Sequence, residues 1–263
     1  GVVGATIAGG GANGLTNSVT DDYGVVGGGS SNRAGNNAGS TTDGAYATVG
    51  GGQQNLASET YSTISGGDSN TVSGGATYGA IGGGRKNLLT NSATLSVIAG
   101  GDSNTVTNGS AYGAIGGGRR NMLANSSYGV IAGGDSNLFS PGGSYGSVGG
   151  GYGNNLGGQY AHIGGGRKNV LINTSTSSVI AGGDTNTITG GSMYSAIVGG
   201  RKNLITSVNN ASIGGGDSNQ VSFGAAYSAI GGGRWNLLTN SATSSVIAGG
   251  DSNTVTGGST YRA

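Results

Sequence analysis

The 263-residue sequence has no cysteine, a single proline (Pro141) and a single histidine (His162), and only 8% of its residues are charged. Without cysteine there is neither a disulfide framework nor a thiolate metal site. Eleven Lys and Arg against ten Asp and Glu give a net charge of +1, too balanced for electrostatic binding of nucleic acid or anionic lipid. No apolar run exceeds three residues, so the sequence holds no membrane span and no signal-peptide core. We expect a soluble, exported or mature segment.

Glycine is the abundant residue, with 63 copies, several times the usual share of about 7%. The glycines do not fall in Gly-X-Y triplets and proline is scarce, which excludes collagen. Elastin-like disorder would need a composition without positional order. The positions of the glycines therefore decide the class of protein.

Those positions form a repeat. A β-branched residue, called the marker here, precedes each of fifteen glycine clusters: Ile7, Val26, Val49, Ile64, Ile81, Ile98, Ile115, Ile131, Val148, Ile163, Ile180, Ile197, Ile213, Ile230 and Ile247. Eight of the fourteen steps are 17 residues long. Paired glycines begin two residues after each marker, asparagine stands six residues after it, and an apolar residue stands eight after it, as with Asn13 and Leu15 in the first copy. Such a period predicts a solenoid.

Seventeen residues are too few for a βαβ unit, and no 3.6-residue apolar spacing occurs, so the fold class is all-β, a parallel solenoid of about fifteen ~17-residue turns. The marker and the apolar residue eight later are predicted to face inward. The glycine pair would form one corner. The asparagine would form a second corner in the left-handed conformation, with its amide bonding its own turn and the next. The regular members of this asparagine ladder are Asn55, Asn70, Asn87, Asn104, Asn121, Asn137, Asn154, Asn169, Asn186, Asn203, Asn219, Asn236 and Asn253.

Domain organisation follows from the same alignment. Residues 1–263 are predicted to be a single solenoid module, with irregular copies and longer loops in 1–60 and regular two-turn repeats in 61–263. All length variation is expected between about ten residues after one marker and four before the next, which marks the surface loop. An aromatic residue of a sixteenth copy, Tyr261, and the absence of capping elements favour either a fragment of a longer fibre or end-to-end stacking of subunits.

Four residues after the marker, acidic and basic side chains alternate from one copy to the next. They are Asp68, Arg85, Asp102, Arg119, Asp135, Arg167, Asp184, Arg201, Asp217, Arg234 and Asp251. Stacked turns place these side chains about one strand spacing apart, so each Arg is expected to reach the acids above and below it. This charge ladder is interpreted chiefly as a device that fixes the register of the turns, with a polar ligand site as the alternative.

A second alternation involves residues that point away from the core of a turn. Acidic copies read Val97-Ile98-Ala99 and Thr105-Val106, whereas basic copies read Ala80-Ile81-Gly82 and Leu88-Leu89. Such size alternation is typical of packed residues, so this second face is predicted to be buried against another copy of the chain. A parallel, in-register homotrimer is the natural closed arrangement of such rods, and the number three does not follow from the spacing. The predicted interchain face comprises Leu88, Met122, Val170, Leu204 and Leu237.

Tyrosine recurs three residues before the marker. The stripe consists of Tyr61, Tyr78, Tyr112, Tyr128, Tyr145, Tyr160, Tyr194 and Tyr227, with Tyr23 and Tyr46 in the irregular copies. A stacked tyrosine ladder is the favoured interpretation, and an adhesive or carbohydrate-binding surface is the alternative.

Catalysis is not expected, because no Ser-His-Asp set, metal-ligand cluster or phosphate loop can be assembled around the single histidine, and no cofactor is predicted. Calcium-binding β-roll repeats need a nine-residue period that is absent. Ice binding remains a minor alternative, because Thr105 and Thr107 show a Thr-X-Thr pattern that recurs in alternate turns at Thr187/Thr189 and Thr254/Thr256.

The repeats Tyr78-Gly-Ala-Ile-Gly-Gly-Gly-Arg-Lys-Asn-Leu-Leu and Tyr128-Gly-Val-Ile-Ala-Gly-Gly-Asp-Ser-Asn-Leu-Phe resemble the head repeats of trimeric autotransporter adhesins and the related shafts of tail-fibre-type proteins. The similarity covers the whole chain. It implies a trimeric, left-handed parallel β-roll displayed outside a cell or on a virion, which binds host-surface protein, carbohydrate or other cells. The expected function is a structural and adhesive component of such a fibre. The alternatives are a purely structural filament subunit and a phage or virus tail-fibre shaft.

Overall fold

The computed structural model describes residues 1–257, and over them the chain is an all-β parallel solenoid of about fifteen coils spaced about 17 residues apart. Tyr261, from the sixteenth copy, lies outside the described residues. Residues 1–257 contain no helix, and therefore no helix long and apolar enough to cross a membrane. The chain divides into two compact units, Gly1–Gly134 and Asp135–Ala263. Each coil contributes one strand to sheet A and one to sheet B.

In the first unit the strands of each sheet are all parallel and follow chain order. Its sheet A contains β1 (Thr6–Ile7), β3 (Val25–Val26), β5 (Thr48–Val49), β7 (Thr63–Ile64), β9 (Ala80–Ile81), β11 (Val97–Ile98), β13 (Ala114–Ile115) and β15 (Val130–Ile131). Its sheet B contains β2 (Ser18–Val19), β4 (Arg33–Ala34), β6 (Leu56–Ala57), β8 (Thr71–Val72), β10 (Leu88–Leu89), β12 (Thr105–Thr107) and β14 (Met122–Ala124).

The second unit repeats this arrangement. Its sheet A contains β17 (Ser147–Val148), β19 (His162–Ile163), β21 (Val179–Ile180), β23 (Ala196–Ile197), β25 (Ser212–Ile213), β27 (Ala229–Ile230) and β29 (Val246–Ile247). Its sheet B contains β16 (Leu138–Phe139), β18 (Asn155–Leu156), β20 (Val170–Leu171), β22 (Thr187–Thr189), β24 (Leu204–Thr206), β26 (Gln220–Ser222), β28 (Leu237–Leu238) and β30 (Thr254–Val255).

The markers from Val26 to Ile247 form the interior of sheet A, as the sequence predicts, whereas Ile7 in the first coil is exposed. Ile81 pairs in register with Ile98, and both side chains are fully buried, as is Leu89 on sheet B. Parallel hydrogen bonds join neighbouring coils, for example from the backbone N–H of Gly82 to the carbonyl of Ile98 at 2.9 Å. Burying one such aliphatic side chain contributes about 1.5–3 kcal/mol, so each coil depends on its neighbours to cover two of them.

The glycine corner requires glycine at one position in particular, three residues after the marker. Gly84 has φ +87°, and a Cβ built there would overlap the carbonyl oxygen of Gly101 in the next coil. A left-handed residue at this corner must also let the neighbouring backbone approach closely, and only glycine satisfies both conditions.

The asparagine corner is also left-handed, but the asparagine is not the left-handed residue. The residue before it has positive φ, as in Lys86 (φ 53°) and Ser103 (φ 59°), whereas the asparagines at 87 and 104 do not. The expectation for the backbone of the ladder residue is therefore wrong. Asparagine is needed at its position for the hydrogen bonds of its side chain.

The first copy departs from the predicted alignment. Asn17, not Asn13, donates to the carbonyls of Gly9 and Gly29, and Val19, not Leu15, faces the buried Ala34 of the next coil. The side chain of Leu15 is 42% exposed. Extra residues therefore lie between the glycine corner and sheet B in this coil, and length variation is not confined to the loop.

The third side of each coil contains no strand, and serine hydroxyls connect neighbouring coils there. The buried Ser96 Oγ donates to the carbonyl of Ser110 at 2.8 Å and accepts from the backbone N–H of Gly113 at 2.9 Å. In the coils with Leu89, Leu123 or Leu156 at the inward position of sheet B, glycine replaces this serine, whereas Leu171 and Leu238 occur with Ala161 and Ser228. A Cβ on Gly79, for instance, would press on the side chain of Leu89. In the three coils that combine leucine with glycine, the interior volume is thus balanced between these two positions.

Candidate functional site: the outward-facing ladders

The asparagine ladder is a continuous hydrogen-bonded structure within each unit. Asn87 Nδ2 donates to the carbonyl of Gly83 in its own coil and to that of Gly101 in the next, at 2.9 and 3.0 Å. Its Oδ1 accepts from the backbone N–H of Asn104 at 3.0 Å. The ladder side chains are buried from Asn55 to Asn236, and Asn253 is exposed. The ladder satisfies backbone groups at the corner and is closed to ligands.

The charge ladder lies at the surface next to this corner. Arg85 Nη2 contacts Asp102 Oδ2 at 2.6 Å, and the same contact recurs in the pairs Arg167–Asp184, Arg201–Asp217 and Arg234–Asp251. In each pair the guanidinium reaches the acid of the following coil. The other carboxylate oxygen accepts from the adjacent Ser or Thr hydroxyl, as with Ser103 and Asp102 at 2.7 Å. These pairs therefore run in one direction only, and Arg85 forms no ion pair with Asp68 among the described contacts.

These contacts lower the pKa of the paired acids. For Asp217 the main cause is the hydrogen bond from Arg201, followed by the hydrogen bond from Ser218; for Asp102 the hydrogen bond from Ser103 comes first. A depressed folded-state pKa stabilises the fold above the ordinary value of 3.8, and that contribution is lost as pH falls through the lowered pKa.

We therefore expect a small fall in thermal stability as pH is lowered from about 4 to 2, measured by circular dichroism melting. High salt should reduce the effect, because the groups are exposed and screened. The matched control replaces all four described arginine partners with glutamine (Arg85, Arg167, Arg201 and Arg234). An unchanged acid dependence in that variant would show that the ion pairs are not its source.

The predicted interchain residues lie at the first position of their sheet B strands and point away from the coil interior. Met122 is 40% exposed, and Leu88, Val170, Leu204 and Leu237 are half-buried. The corresponding outward position of sheet A, just before the marker, holds Val97 and Val130, which are 44% and 42% exposed. The two alternating sets recognised in the sequence thus lie on the outer surfaces of two different sheets.

The tyrosines stack in runs, and the runs stop where another residue takes their position. Within the first unit the rings of Tyr23, Tyr46, Tyr61 and Tyr78 lie 4.9 Å apart and within 11° of parallel. The next coil has Leu95 at this position. Because each ring covers the face of its neighbour, a run presents ring edges and hydroxyls to solvent, and only the end of a run offers an aromatic face.

The sequence did not reveal the backbone conformation of these tyrosines. All ten described members of the stripe have φ between 54° and 62°, and Leu95 and Ser177 at the same position have φ 55°. The left-handed conformation costs a non-glycine residue roughly 1–2 kcal/mol. Stacking returns about 0.5–1.5 kcal/mol per ring pair, which offsets much of that cost.

His162 lies on the outer surface of sheet A, where its Nδ1 is 2.7 Å from Ser147 Oγ. Among residues 1–257 no group of three or more His, Asp or Glu side chains is placed to hold a metal ion. Of the Thr-X-Thr hydroxyls, Thr107 is 8% exposed, so this pair does not present two outward hydroxyls.

These ladders define the class of protein: a repeat protein with a parallel β-solenoid fold, compatible with the repeat β-roll proteins. The chain matches no family model, and no curated protein matches it.

Proposed function

We propose that the chain is a structural and adhesive module of an extracellular fibre, in which copies associate side by side as a parallel homotrimer. The solenoid fold is compatible with a fibre-like structural repeat protein. The proposal of self-association depends on the outer surfaces of sheets A and B, which carry complementary side chains.

The observation that carries it is the pairing of side-chain sizes within each coil. A coil with Ala at the outward position of sheet A has a large residue on sheet B, as with Ala80 and Leu88, whereas a coil with Val97 has Thr105. The same relation holds for Ala114 with Met122, Val179 with Thr187, Ala196 with Leu204, Ala229 with Leu237, and Val246 with Thr254.

Coils that depart from the repeat also change the two positions together, because the outward residues of sheet A and sheet B become polar in the same coil. Ser147 is matched by Asn155, and Ser212 by Gln220. Four coils break it: Val25 is matched by Arg33, Thr48 by Leu56, Val130 by Leu138, and His162 by Val170. Joint replacement of residues on two different outer surfaces is expected if they meet across an interface between chains.

Parallel chains at the same level satisfy this relation when sheet A of one copy packs on sheet B of the next. In the coils that follow the relation, each level then contains either Ala with a large side chain or Val with Thr, and the summed volume of the two side chains stays nearly constant. From the third coil onwards neither outward position holds Asp, Glu, Lys or Arg. Such a contact is heterologous, and a rotation that closes after three copies gives the trimer.

The area available suits a stable contact. With coils about 4.8 Å apart and roughly 10 Å of strand per coil, each coil contributes about 50 Å² per surface. Fifteen coils contribute about 700 Å² per surface, close to the ~800 Å² per partner of a standard interface.

Leu88→Asp combined with Leu204→Asp is expected to convert the oligomer to monomer, because it places a charge without a counter-ion in each interface. Sedimentation equilibrium and chemical crosslinking measure the outcome. The matched control is Ser92→Asp, at an exposed loop position with φ 62° that Asp tolerates. A monomeric parent protein, or a double variant that assembles like the parent, would contradict the proposed interface.

Attachment follows from assembly through avidity, since a trimer presents every weak surface site three times. Beads coated with the parent protein should adhere to cells more strongly than beads coated with the dissociated variant at equal density. Equal adhesion by the two kinds of bead would show that attachment does not depend on trimer formation.

A further inference from the structure

The loops between sheet B and the tyrosine position differ in length, and in the second unit a short one lies between two longer ones. Loop 157–159 has three residues, whereas its neighbours 140–144 and 172–176 have five each. The short loop is recessed, and a groove of about 740 Å³ lies above it. We call this groove the notch.

Groove size follows loop length. The four residues between the inward Ile205 and Asn210 at the tyrosine position, 206–209, border a smaller groove of about 390 Å³. The first unit also has a three-residue loop, 58–60, but there Thr60 Oγ1 donates to the carbonyl of Asp43 at 2.8 Å, so the long loop 35–45 lies against it. At loop 157–159 both neighbouring loops are of ordinary length and leave the groove open.

The lining of the notch carries no charge, and it combines polar groups with a larger apolar surface. It offers hydroxyls from Ser140, Ser144, Thr174 and Thr176, amides from Gln159 and Asn173, and apolar surface from Pro141 and Ile172. Between residues 61 and 257 every Asp, Glu, Lys and Arg stands four or five residues after a marker, at the charge ladder. The loop side of the second unit therefore favours a neutral ligand over an ionic one.

Two polar side chains of the notch have unused hydrogen-bonding capacity. Within residues 1–257 neither the exposed amide of Gln159 nor the hydroxyl of Ser144 makes a hydrogen bond through its side chain. The walls are better fixed: Asn173 Nδ2 donates to Thr189 Oγ1 at 2.9 Å, and Ser140 Oγ donates to Asn155 Oδ1 at 2.6 Å. Fixed walls with free polar groups between them provide a pre-organised site.

An aromatic ring without a second stacking partner, that of Tyr160, adjoins the notch in sequence, although Tyr160 is not one of the residues that line the groove. Tyr160 follows Gln159 in sequence, and its backbone N–H donates to the carbonyl of Ser144 at 3.1 Å. Its ring stacks on Tyr145 with centroids 5.1 Å apart, but the next coil has Ser177 at the tyrosine position. The stack ends here, so the far face of this 56% exposed ring has no aromatic neighbour.

We propose that the notch is a binding site for a neutral saccharide, a ligand class that rests on the proposed attachment function and specifies it. A pyranose has hydroxyls around its edge, which the amide of Gln159 and the hydroxyl of Ser144 bind, and an apolar C–H face, which packs on Tyr160. The groove volume lies within the ~300–1,000 Å³ of small-ligand sites.

The experiment uses the full chain on an array of neutral oligosaccharides, including cellotetraose, laminaritetraose, diacetylchitobiose and lacto-N-tetraose, with sialyllactose and a heparin tetrasaccharide as acidic probes. The highest-ranked neutral sugar is then titrated by calorimetry. We expect binding to one or more neutral sugars and none to the acidic ones. Absence of neutral binding at millimolar sugar, or selective binding of acidic sugars, would overturn the proposal.

Two variants locate the site. Extending loop 157–159 to the five-residue sequence of 140–144 fills the notch, and Gln159→Ala with Tyr160→Ser removes the two main contacts without altering loop length. Serine occurs naturally at the tyrosine position, in Ser177 and Ser244, with the same φ of 55°. Each variant should bind at least tenfold more weakly, whereas Tyr61→Ser should bind like the parent. Equal binding by parent and both variants would place the saccharide elsewhere and refute the notch.

The adhesion assay distinguishes saccharide binding in the notch from the proposed attachment of the fibre to cells. Adhesion that survives both notch variants, with no saccharide bound, refutes the notch and leaves attachment to another surface. Saccharide binding lost in both variants, with no adhesion by the parent, supports the notch and refutes attachment.

Discussion

Replacing Gly101 with alanine is expected to lower the free energy of unfolding by about 2–5 kcal/mol. Gly101 has φ +92°, and a Cβ there would overlap the carbonyl oxygen of Gly118 and press on the amide of Asn104. The left-handed conformation alone costs alanine roughly 1–2 kcal/mol, and separating two backbones in a close-packed stack costs roughly 1–3 kcal/mol more. Urea denaturation followed by circular dichroism measures the change.

Its neighbour Gly100 provides the matched control. A Cβ on Gly100 meets nothing within 4 Å, and its φ lies outside the positive range. Gly100→Ala should therefore change the free energy of unfolding by less than about 1 kcal/mol. Equal effects of the two substitutions would show that the corner does not depend on close backbone approach.

The contrast between these glycines shows what the sequence could and could not predict. Both are equally regular in the alignment, and the alignment correctly places them at a corner. Only the structure shows that the second glycine approaches the next coil, since that depends on φ at each residue. The inward marker and asparagine positions were predictable because every coil repeats the same requirement.

Other features escaped prediction for identifiable reasons. Tyrosine is atypical of left-handed positions, so nothing in its spacing indicated φ near +57°, although Ser177 and Asn210 at the same position are ordinary left-handed residues. Asn13 fitted the repeat better than Asn17 because an alignment counts spacing and cannot locate an insertion at a corner. The notch depends on the relative lengths of three adjacent loops. These lengths can be counted in the sequence, but a groove can be inferred from them only when the stacking of the coils is known.

Asn186→Ala is expected to destabilise the second unit by about 2–5 kcal/mol, because it leaves buried polar groups without partners. Asn186 Nδ2 donates to the carbonyls of Gly182 and Gly200 at 3.0 Å, and its Oδ1 accepts from the backbone N–H of Asn203 at 3.0 Å. The carbonyl of Gly200 keeps a second donor, the backbone N–H of Asp184, whereas the carbonyl of Gly182 and the backbone N–H of Asn203 lose the only partners that the described contacts give them. Limited proteolysis and urea denaturation measure the loss.

Asn155→Ala is the control, since Asn155 points outward and its Oδ1 accepts one half-buried hydrogen bond, so the loss should stay below about 1 kcal/mol. Asn186→Asp tests the Nδ2 donor group separately, because it keeps the size of the side chain and removes the donor. The buried carboxylate would face the two carbonyls, which disfavours its charged form and raises its folded-state pKa. The variant should therefore be least stable near neutral pH and recover part of its stability as pH falls through that raised pKa. If Asn186→Asp matched the parent at pH 7, the amide donors would not hold the corner, and the invariant asparagine would need another explanation.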